Sequence, residues 1–224
     1  MTTNDNKKPR LSPFEGSFAS LVTDDGREEK LELFSPLHDI VVVDVETTGL
    51  IPFQNQVIEI GAVFLDDREE FETRVRFDRE RRWSEEAEAV HGYTRESCED
   101  PTHPEIHEAL ELFLDWLEFH RGERRLVLAG MNPRFDLDML RADAGVVDRL
   151  LRKMSFRFSH RTLDMHSLCV SHAVRMGLSA DAITRLHTDQ IYDLLGMEPE
   201  PRPHRAITGA RMEADALSLL LQFD

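Results

Sequence analysis

The sequence predicts an α/β protein in which helices flank a mixed central sheet. Three short runs, apolar or alternating, follow one another between residues 40 and 77, and helical and strand-like patterns then mix through the rest of the chain. Runs this close together most simply pair as a meander of antiparallel strands, and the mixture that follows favours an α/β architecture. With 224 residues, 41% of them hydrophobic, the chain is long enough to bury a core of its own.

The charge and the cysteine content limit the classes of function. A net charge of −16 argues against a general, high-affinity grip on duplex nucleic acid, although metal ions and a local basic patch can still attract phosphate. Cys98 and Cys169 are far apart, which is no disulfide framework. No apolar run approaches the ~18 residues of a membrane span, and residues 1–10 lack the apolar segment of a signal peptide. We therefore expect a cytoplasmic protein.

The first 37 residues are predicted to be an N-terminal extension that is partly flexible. Residues 1–12 are polar and have the composition of a flexible tail. Short apolar pieces and a charged run follow, typical of a segment appended to a domain. The domain that carries the chemistry is predicted to span residues 38–224.

The first strand of that domain begins at Ile40 with a run of β-branched residues, which is typical of a strand buried on both faces. Asp44 and Glu46 appear at its end. Residues two apart in a strand point to the same face, so both carboxylates project together. They repel each other, and burying them unpaired is costly; a bound divalent cation removes both problems. The rival interpretation is an edge strand that ends in a solvated acidic turn.

Five further elements follow in order. The apolar run 57–65 predicts a second strand, and the alternation in 71–77 predicts a third with one wet face. A short helix is expected at 85–90. Apolar residues at helical spacing predict an amphipathic helix over 104–120, and the apolar run 126–131 predicts another strand.

Asn132 and Pro133 mark the start of the next helix, since asparagine is a good N-cap and proline suits the first helical position. Asp136 then falls in the first turn, where the positive end of the helix dipole favours a carboxylate. Dipole compensation alone would explain such an aspartate equally well.

The C-terminal part is predicted to hold a short strand at 161–164, a helix at 165–176, one or two helices within 179–195, and a last helix over 204–221. His204 opens that last helix. A histidine is suited to take a proton from water near neutral pH, although a histidine at a helix start is commonly only a surface residue.

Three motifs in this order resemble the DEDD 3′-5′ exonucleases of the histidine subclass (DEDDh). They are Asp44-Val-Glu46-Thr-Thr-Gly, Asn132-Pro-Arg-Phe-Asp136 and His204-Arg-Ala, and the resemblance covers about residues 38–221. It implies a ribonuclease-H-like fold with about five strands. It further implies removal of nucleotides from the 3′ end of DNA or RNA.

The resemblance also assigns roles to particular residues. Asp44, Glu46 and Asp136 would hold two divalent ions, Mg²⁺ or Mn²⁺, with His204 as general base. The substrate would be a single-stranded 3′ end, with a polymerase partner or a homodimer as further expectations. The residues implied to bind it are Thr47, Thr48, Gly49, Leu50, Asn132 and Phe135.

One position departs from the family pattern. The resembled family has an aspartate five residues after the histidine, where this chain has Gly209. Glu213 lies about one helical turn further on the same face and is the expected fourth carboxylate, whereas Asp215 lies on the far side of the helix. The alternative is a catalytically degenerate module that binds nucleic acid on the same fold without cutting it.

Several other residues carry weaker signals. His103 and His107 have the spacing of some zinc ligands, but no further ligand accompanies them. Glu59 is either a supporting residue of the site or the polar face of an edge strand, and Asp164 either lies near the site or caps a helix. The best local basic patch, which is either a backbone-binding surface or a solvated charge run, comprises Arg152, Lys153, Arg157 and Arg161.

Overall fold

A computed structural model describes residues 18–22, 28–32, 37–177, 179 and 186–221. The chain divides into two compact units, Met1–Leu37 and His38–Asp224. In the first unit, strands β1 (Phe18–Val22) and β2 (Glu28–Glu32) pair in antiparallel fashion. The predicted tail, residues 1–12, lies outside the described residues.

The second unit is built on a five-stranded mixed sheet, which confirms the predicted fold class. Along the chain the strands are β3 (Ile40–Thr47), β4 (Val57–Phe64), β5 (Glu70–Arg74), β6 (Leu126–Gly130) and β7 (Phe158–Asp164). They lie in the order β5-β4-β3-β6-β7. The first three form the predicted antiparallel meander, and β6 and β7 run parallel to β3.

Helices cover the sheet. Their bounds are α1 (Glu85–His91), α2 (Arg95–Cys98), α3 (Ile106–Arg121), α4 (Pro133–Ala144), α5 (Asp148–Arg157), α6 (Met165–Arg175), α7 (Thr188–Leu194) and α8 (Ala206–Leu220). None of the helices in the described part of the chain is both long enough and apolar enough to cross a membrane.

The two faces of β3 have different partners. Val41, Val43 and Val45 belong to one buried core cluster together with apolar residues of α3, α4 and α5. Because side chains alternate along a strand, Asp44 and Glu46 project to the opposite face. On that face α8 packs closely, since a Cβ on Gly61 of β4 would lie 2.2 Å from the carbonyl carbon of Ala206. The glycine therefore lets the N-terminus of α8 approach the sheet.

Helix α5 was not predicted, and β7 begins at Phe158 rather than at residue 161. The predicted basic patch is accordingly wrong at Arg157, whose side chain is buried. Its guanidinium donates to the main-chain carbonyls of Leu117, Gly122 and Arg124. The strand register also places Arg157 far from the C-terminal end of β3, where Asp44 and Glu46 lie. Its neighbour Phe158 pairs with Leu126, at the end of β6 away from Gly130.

Candidate active site

Asp44 and Glu46 lie at the C-terminal half of β3, where they pair with Gly61 and Glu59 of β4. Burial, followed by the nearby carboxylates, raises the pKa of Asp44 well above its ordinary value. Burial and the neighbouring Glu59 raise the pKa of Glu46 to about 8. Half-buried Asp44 and buried Glu46 on one face of β3 therefore carry the electrostatic strain that the sequence pattern predicts.

Asp136 reaches the same strand from the first turn of α4. Its Oδ1 accepts a hydrogen bond of 3.2 Å from the main-chain N–H of Val45, which lies between Asp44 and Glu46. Burial raises the pKa of Asp136 to about 7, although hydrogen bonds from the main-chain N–H groups of Asp136 and Val45 act in the opposite direction. The desolvation of this carboxylate thus outweighs the favourable helix terminus.

The start of α4 differs in detail from the prediction. Asn132 is the N-cap residue, but it has left-handed backbone angles (φ 52°, ψ 51°) and its side chain makes no capping hydrogen bond. Its main-chain N–H instead donates to Asp164 Oδ1 over 3.2 Å. Asp164 also accepts from Ser167 N as the N-cap of α6, so it serves both as a cap and as a link to the edge of the site.

Glu213 points inward from α8 and is buried. Its Oε2 lies 2.5 Å from the place that a Cβ on Gly130 would occupy, at the end of β6. Burial, and then the charge of Asp136, raises the pKa of Glu213 well above its ordinary value. Asp215 points the other way and forms a surface ion pair of 3.1 Å with Arg68.

Gly209 faces Asp44 directly. A Cβ built on Gly209 would lie 2.1 Å from Asp44 Oδ2, closer than any stable contact. The absence of a side chain at this position therefore provides the space that the Asp44 carboxylate occupies. A larger residue at 209 would displace that carboxylate.

His204 lies just before α8, and its main chain is anchored because its N–H donates to the carbonyl of Val90 over 3.2 Å. Its Nδ1 is 3.5 Å from Glu200 Oε2. Burial and the nearby Arg202 lower the pKa of His204 below 6.5. The imidazole is therefore predominantly neutral at physiological pH and able to accept a proton.

One cavity of about 320 Å³ joins these groups, and Asp44, Glu46, His204 and Glu213 all lie on its wall. Asp136 does not line the cavity. It lies behind the wall, where its carboxylate accepts the hydrogen bond from the main-chain N–H of Val45. Three further titratable residues of the wall were not singled out from the sequence as site candidates: His187, Asp189 and Glu200. Nothing in the local pattern marks them, because tertiary structure brings the start of α7, with His187 and Asp189, and the segment before α8, with Glu200, to the cavity.

The Thr47–Leu50 turn is held by its own hydroxyls. Thr47 Oγ1 donates to the carbonyl of Gly49 over 2.8 Å, and Thr48 Oγ1 donates to the carbonyl of Arg82 over 2.7 Å. Thr48 is fully buried, so its side chain shapes the turn from within. Leu50 is 77% exposed and presents an apolar surface at the outer end of the turn.

The remaining residues of the predicted substrate surface lie at the start of α4. Asn132 is exposed there, while Phe135 is half-buried against the main core.

Of the two interpretations of Glu59, the structure favours a residue that supports the site. It is buried in β4, a strand in the interior of the sheet. Its Oε1 accepts from the hydroxyl of Tyr93 over 2.8 Å, and its Oε2 accepts from the main-chain N–H of Ala206 over 3.0 Å. The carboxylate thus satisfies the first amide of α8 and fixes the helix that carries Gly209 and Glu213.

The donor set suits a hard divalent cation, because Mg²⁺ and Mn²⁺ prefer carboxylate oxygens. The raised pKa values show an excess of buried negative charge that a cation would balance. Across the described ranges, no group of three or more His, Cys, Asp or Glu side chains is already arranged as a metal cage. The side chains would turn inward on binding, as expected of acids that repel one another.

Comparison with known proteins places this geometry in context. A family model described as an exonuclease (RNase_T) matches residues 41–217. The chain is 31% identical over 179 residues to the DNA polymerase III PolC-type of Thermotoga petrophila, and 29% identical over 177 residues to that of Thermotoga maritima. In both cases the match covers 78% of this chain and spans 11% of the polymerase.

Solved structures share the fold. The nuclease domain of 3′hExo, a DEDDh family member bound to rAMP, has a TM-score of 0.57 at 17% identity, covering 84% of this chain and 94% of that one. Escherichia coli Exonuclease I in complex with a 5cy-dT13 oligonucleotide has a TM-score of 0.62 at 13% identity, covering 81% of this chain and 40% of that one. These likenesses confirm the predicted ribonuclease-H-like sheet.

Proposed function

We propose that this chain, which belongs to the DEDD-type exonuclease family, removes nucleotides from the 3′ end of DNA or RNA. The observation that carries the proposal is the convergence of four carboxylates and one neutral imidazole, from β3, two helices and one loop, on or directly behind the wall of a single cavity. Asp44, Glu46 and Glu213 line that cavity, and Asp136 is tied to it through Val45. An acidic cavity with this composition suits metal-assisted hydrolysis of a phosphodiester.

The carboxylates Asp44, Glu46, Asp136 and Glu213 would hold two divalent ions, Mg²⁺ or Mn²⁺. When bound, such ions lower the pKa of a water molecule and stabilise the negative charge on the leaving oxygen. The protein supplies the proton acceptor. His204 Nδ1 faces Glu200, which leaves Nε2 to take the proton from the attacking water.

The substrate end would be held beside this cavity. The Thr47–Leu50 turn offers main-chain groups, and exposed Leu50 offers an apolar surface on which a base can rest. Asn132, exposed at the N-terminus of α4, and half-buried Phe135 complete the proposed surface. With a net charge of −16, the chain would grip phosphate weakly, and binding would depend strongly on salt.

A protein partner would compensate for this weak grip. Similarity to a region of two PolC-type polymerases supports the hypothesis that the chain works with a polymerase, with a homodimer as the other arrangement. Copurification from the source cells and light scattering of the purified chain distinguish the two. A recovered polymerase supports the first arrangement, and a mass of two chains supports the second.

The direct test is digestion of 5′-labelled single-stranded DNA and RNA, side by side, with Mn²⁺. The proposal predicts a ladder that shortens one nucleotide at a time from the 3′ end, and chelation by EDTA should stop it. Gly209 favours the rival binding module, because it stands where the resembled family has a ligand. Retention of the strands in a filter-binding assay, without any shortening, would establish that rival and contradict the exonuclease.

A further inference from the structure

Glu200 is a carboxylate of the cavity that none of the three motifs includes. It lies in the proline-rich segment before α8, between Pro199 and Pro201. Prolines on both sides restrict the backbone of this segment, so the placement of Glu200 is more sharply defined than in an ordinary loop. Its side chain is only 9% exposed, and it lines the same cavity as Asp44, Glu46 and Glu213.

One oxygen of Glu200 lacks a partner. Oε2 lies 3.5 Å from His204 Nδ1, whereas buried Oε1 has no hydrogen-bond partner within the described part of the chain. A buried carboxylate oxygen without a donor is unfavourable unless something else balances it. On the wall of an acidic cavity, a bound cation is a group that can supply this balance.

The position of Oε1 is specific. It lies 3.5 Å from the point where a Cβ on Gly209 would stand, and Asp44 Oδ2 lies 2.1 Å from that same point. The Asp44 oxygen therefore lies within the space that a side chain at residue 209 would fill, and the Glu200 oxygen lies at contact distance from that space. A carboxylate borne by residue 209 itself would have projected into this region.

We propose that Glu200 is a further metal-binding carboxylate of this site, placed beside Asp44 and next to the position where the resembled family carries a ligand and this chain has Gly209. Glu213, whose Oε2 lies at Gly130 on the β6 side, then serves a different part of the same cavity. Two glutamates from separate segments thus supply metal-binding oxygens near Asp44. This inference rests on the proposed metal-dependent function and adds to it a ligand that the motifs do not contain.

The test compares Glu200→Gln with Glu198→Gln in the full chain. Both changes remove one negative charge from the same segment, but Glu198 is exposed and lies outside the cavity. Isothermal titration with MnCl₂ should show that Glu200→Gln lowers Mn²⁺ affinity by about tenfold or more, the scale seen when a group at a metal site is lost. Glu198→Gln should bind Mn²⁺ as the wild type does.

Thermal melting in EDTA separates a ligand from a structural residue. Removing one of several crowded negative charges relieves repulsion, so metal-free Glu200→Gln should melt at the wild-type temperature or above it. Lowered melting in EDTA together with weaker Mn²⁺ binding would assign Glu200 a structural role and overturn the inference. Wild-type Mn²⁺ affinity in Glu200→Gln would overturn it as well.

An Asp44→Asn arm shows which proposal has failed. If the wild type binds Mn²⁺ and Asp44→Asn does not, the metal site that the proposed function requires stands, whatever the result for Glu200. If the wild type itself binds no Mn²⁺, the proposed function and the inference about Glu200 both fall.

Discussion

At the scale of single residues, the proposed function makes His204 the proton acceptor. Burial and the nearby Arg202 lower the pKa of His204, so the imidazole stays neutral to a lower pH than an ordinary histidine does. Activity should therefore fall as the pH drops through this lowered pKa, since the protonated imidazole cannot accept a proton. His204→Ala should reduce turnover by about 10²-fold at neutral pH, the usual contribution of a general base.

Part of the loss in His204→Ala should be recovered at high pH, where hydroxide replaces the base. The pH–rate profile of single-turnover digestion measures this, with His160→Ala as the control because His160 is exposed on β7. Full activity of His204→Ala at neutral pH would show that the residue only shapes the loop.

Glu213 and Asp215 form a matched pair on α8. Glu213 is buried in the cavity wall, whereas the Asp215 side chain is 62% exposed and pairs with Arg68 at the surface. Glu213→Gln should lower Mn²⁺ affinity and activity by about 10- to 100-fold or more, because a charged ligand is lost. Asp215→Asn should be nearly silent, since surface ion pairs contribute about 0–1 kcal/mol.

Titration calorimetry and the digestion assay measure both variants of this pair. Equal effects of the two substitutions would show that Glu213 is not a metal ligand of the site.

The motifs predicted which residues of the strand and the helix starts would converge, but not every member of the cavity. Asp44, Glu46 and His204 stand in patterns with fixed spacing, so sequence alone selected them. Glu200 stands in an irregular proline-rich segment, and its approach to Asp44 depends on how that segment packs against α8. No local period encodes such a tertiary contact.

At the scale of elements, α8 is positioned by the buried carboxylate of Glu59. Glu59→Ala would leave the N–H of Ala206 and the hydroxyl of Tyr93 without their acceptor, destabilising the fold by about 1–3 kcal/mol. It should also lower activity, because His204 and Gly209 flank the same helix start. Urea unfolding measures the first effect and the digestion assay the second.

The control for Glu59 is Glu72→Ala, which removes an exposed carboxylate from β5. It should change stability by no more than about 0.5 kcal/mol, as is usual for surface positions. If both variants unfold alike, Glu59 does not anchor α8.

The elements that could be predicted are those whose apolar residues follow a regular strand or helix pattern. The continuous apolar run of β3 and the apolar spacing of α3 left little ambiguity. Helix α5 was missed because its core-facing stripe is short, with Leu150, Leu151 and Met154 among four basic residues. A sequence pattern that places charged side chains in solvent cannot predict that the guanidinium of Arg157 is buried.

At the scale of the whole molecule, the acidic cavity and the net charge of −16 both oppose the binding of an anion. The proposed substrate is itself an anion, so it would approach against a repulsive field unless bound cations reverse that field locally. Metal binding and substrate binding should therefore be coupled. The mixed sheet was predictable at this scale because each strand pattern agreed with the others, whereas the cavity required the finished fold.

The most direct measurement is single-turnover digestion of a 5′-labelled single strand in Mn²⁺ by Asp44→Asn and Asp136→Asn. Asp138→Asn is the matched control, since Asp138 lies on the same helix as Asp136 but pairs with Arg134 at the surface. The wild type and Asp138→Asn should shorten the strand stepwise from its 3′ end. Asp44→Asn and Asp136→Asn should leave it intact while keeping the wild-type circular dichroism spectrum. Near wild-type shortening by either of these two folded variants would contradict the carboxylate site.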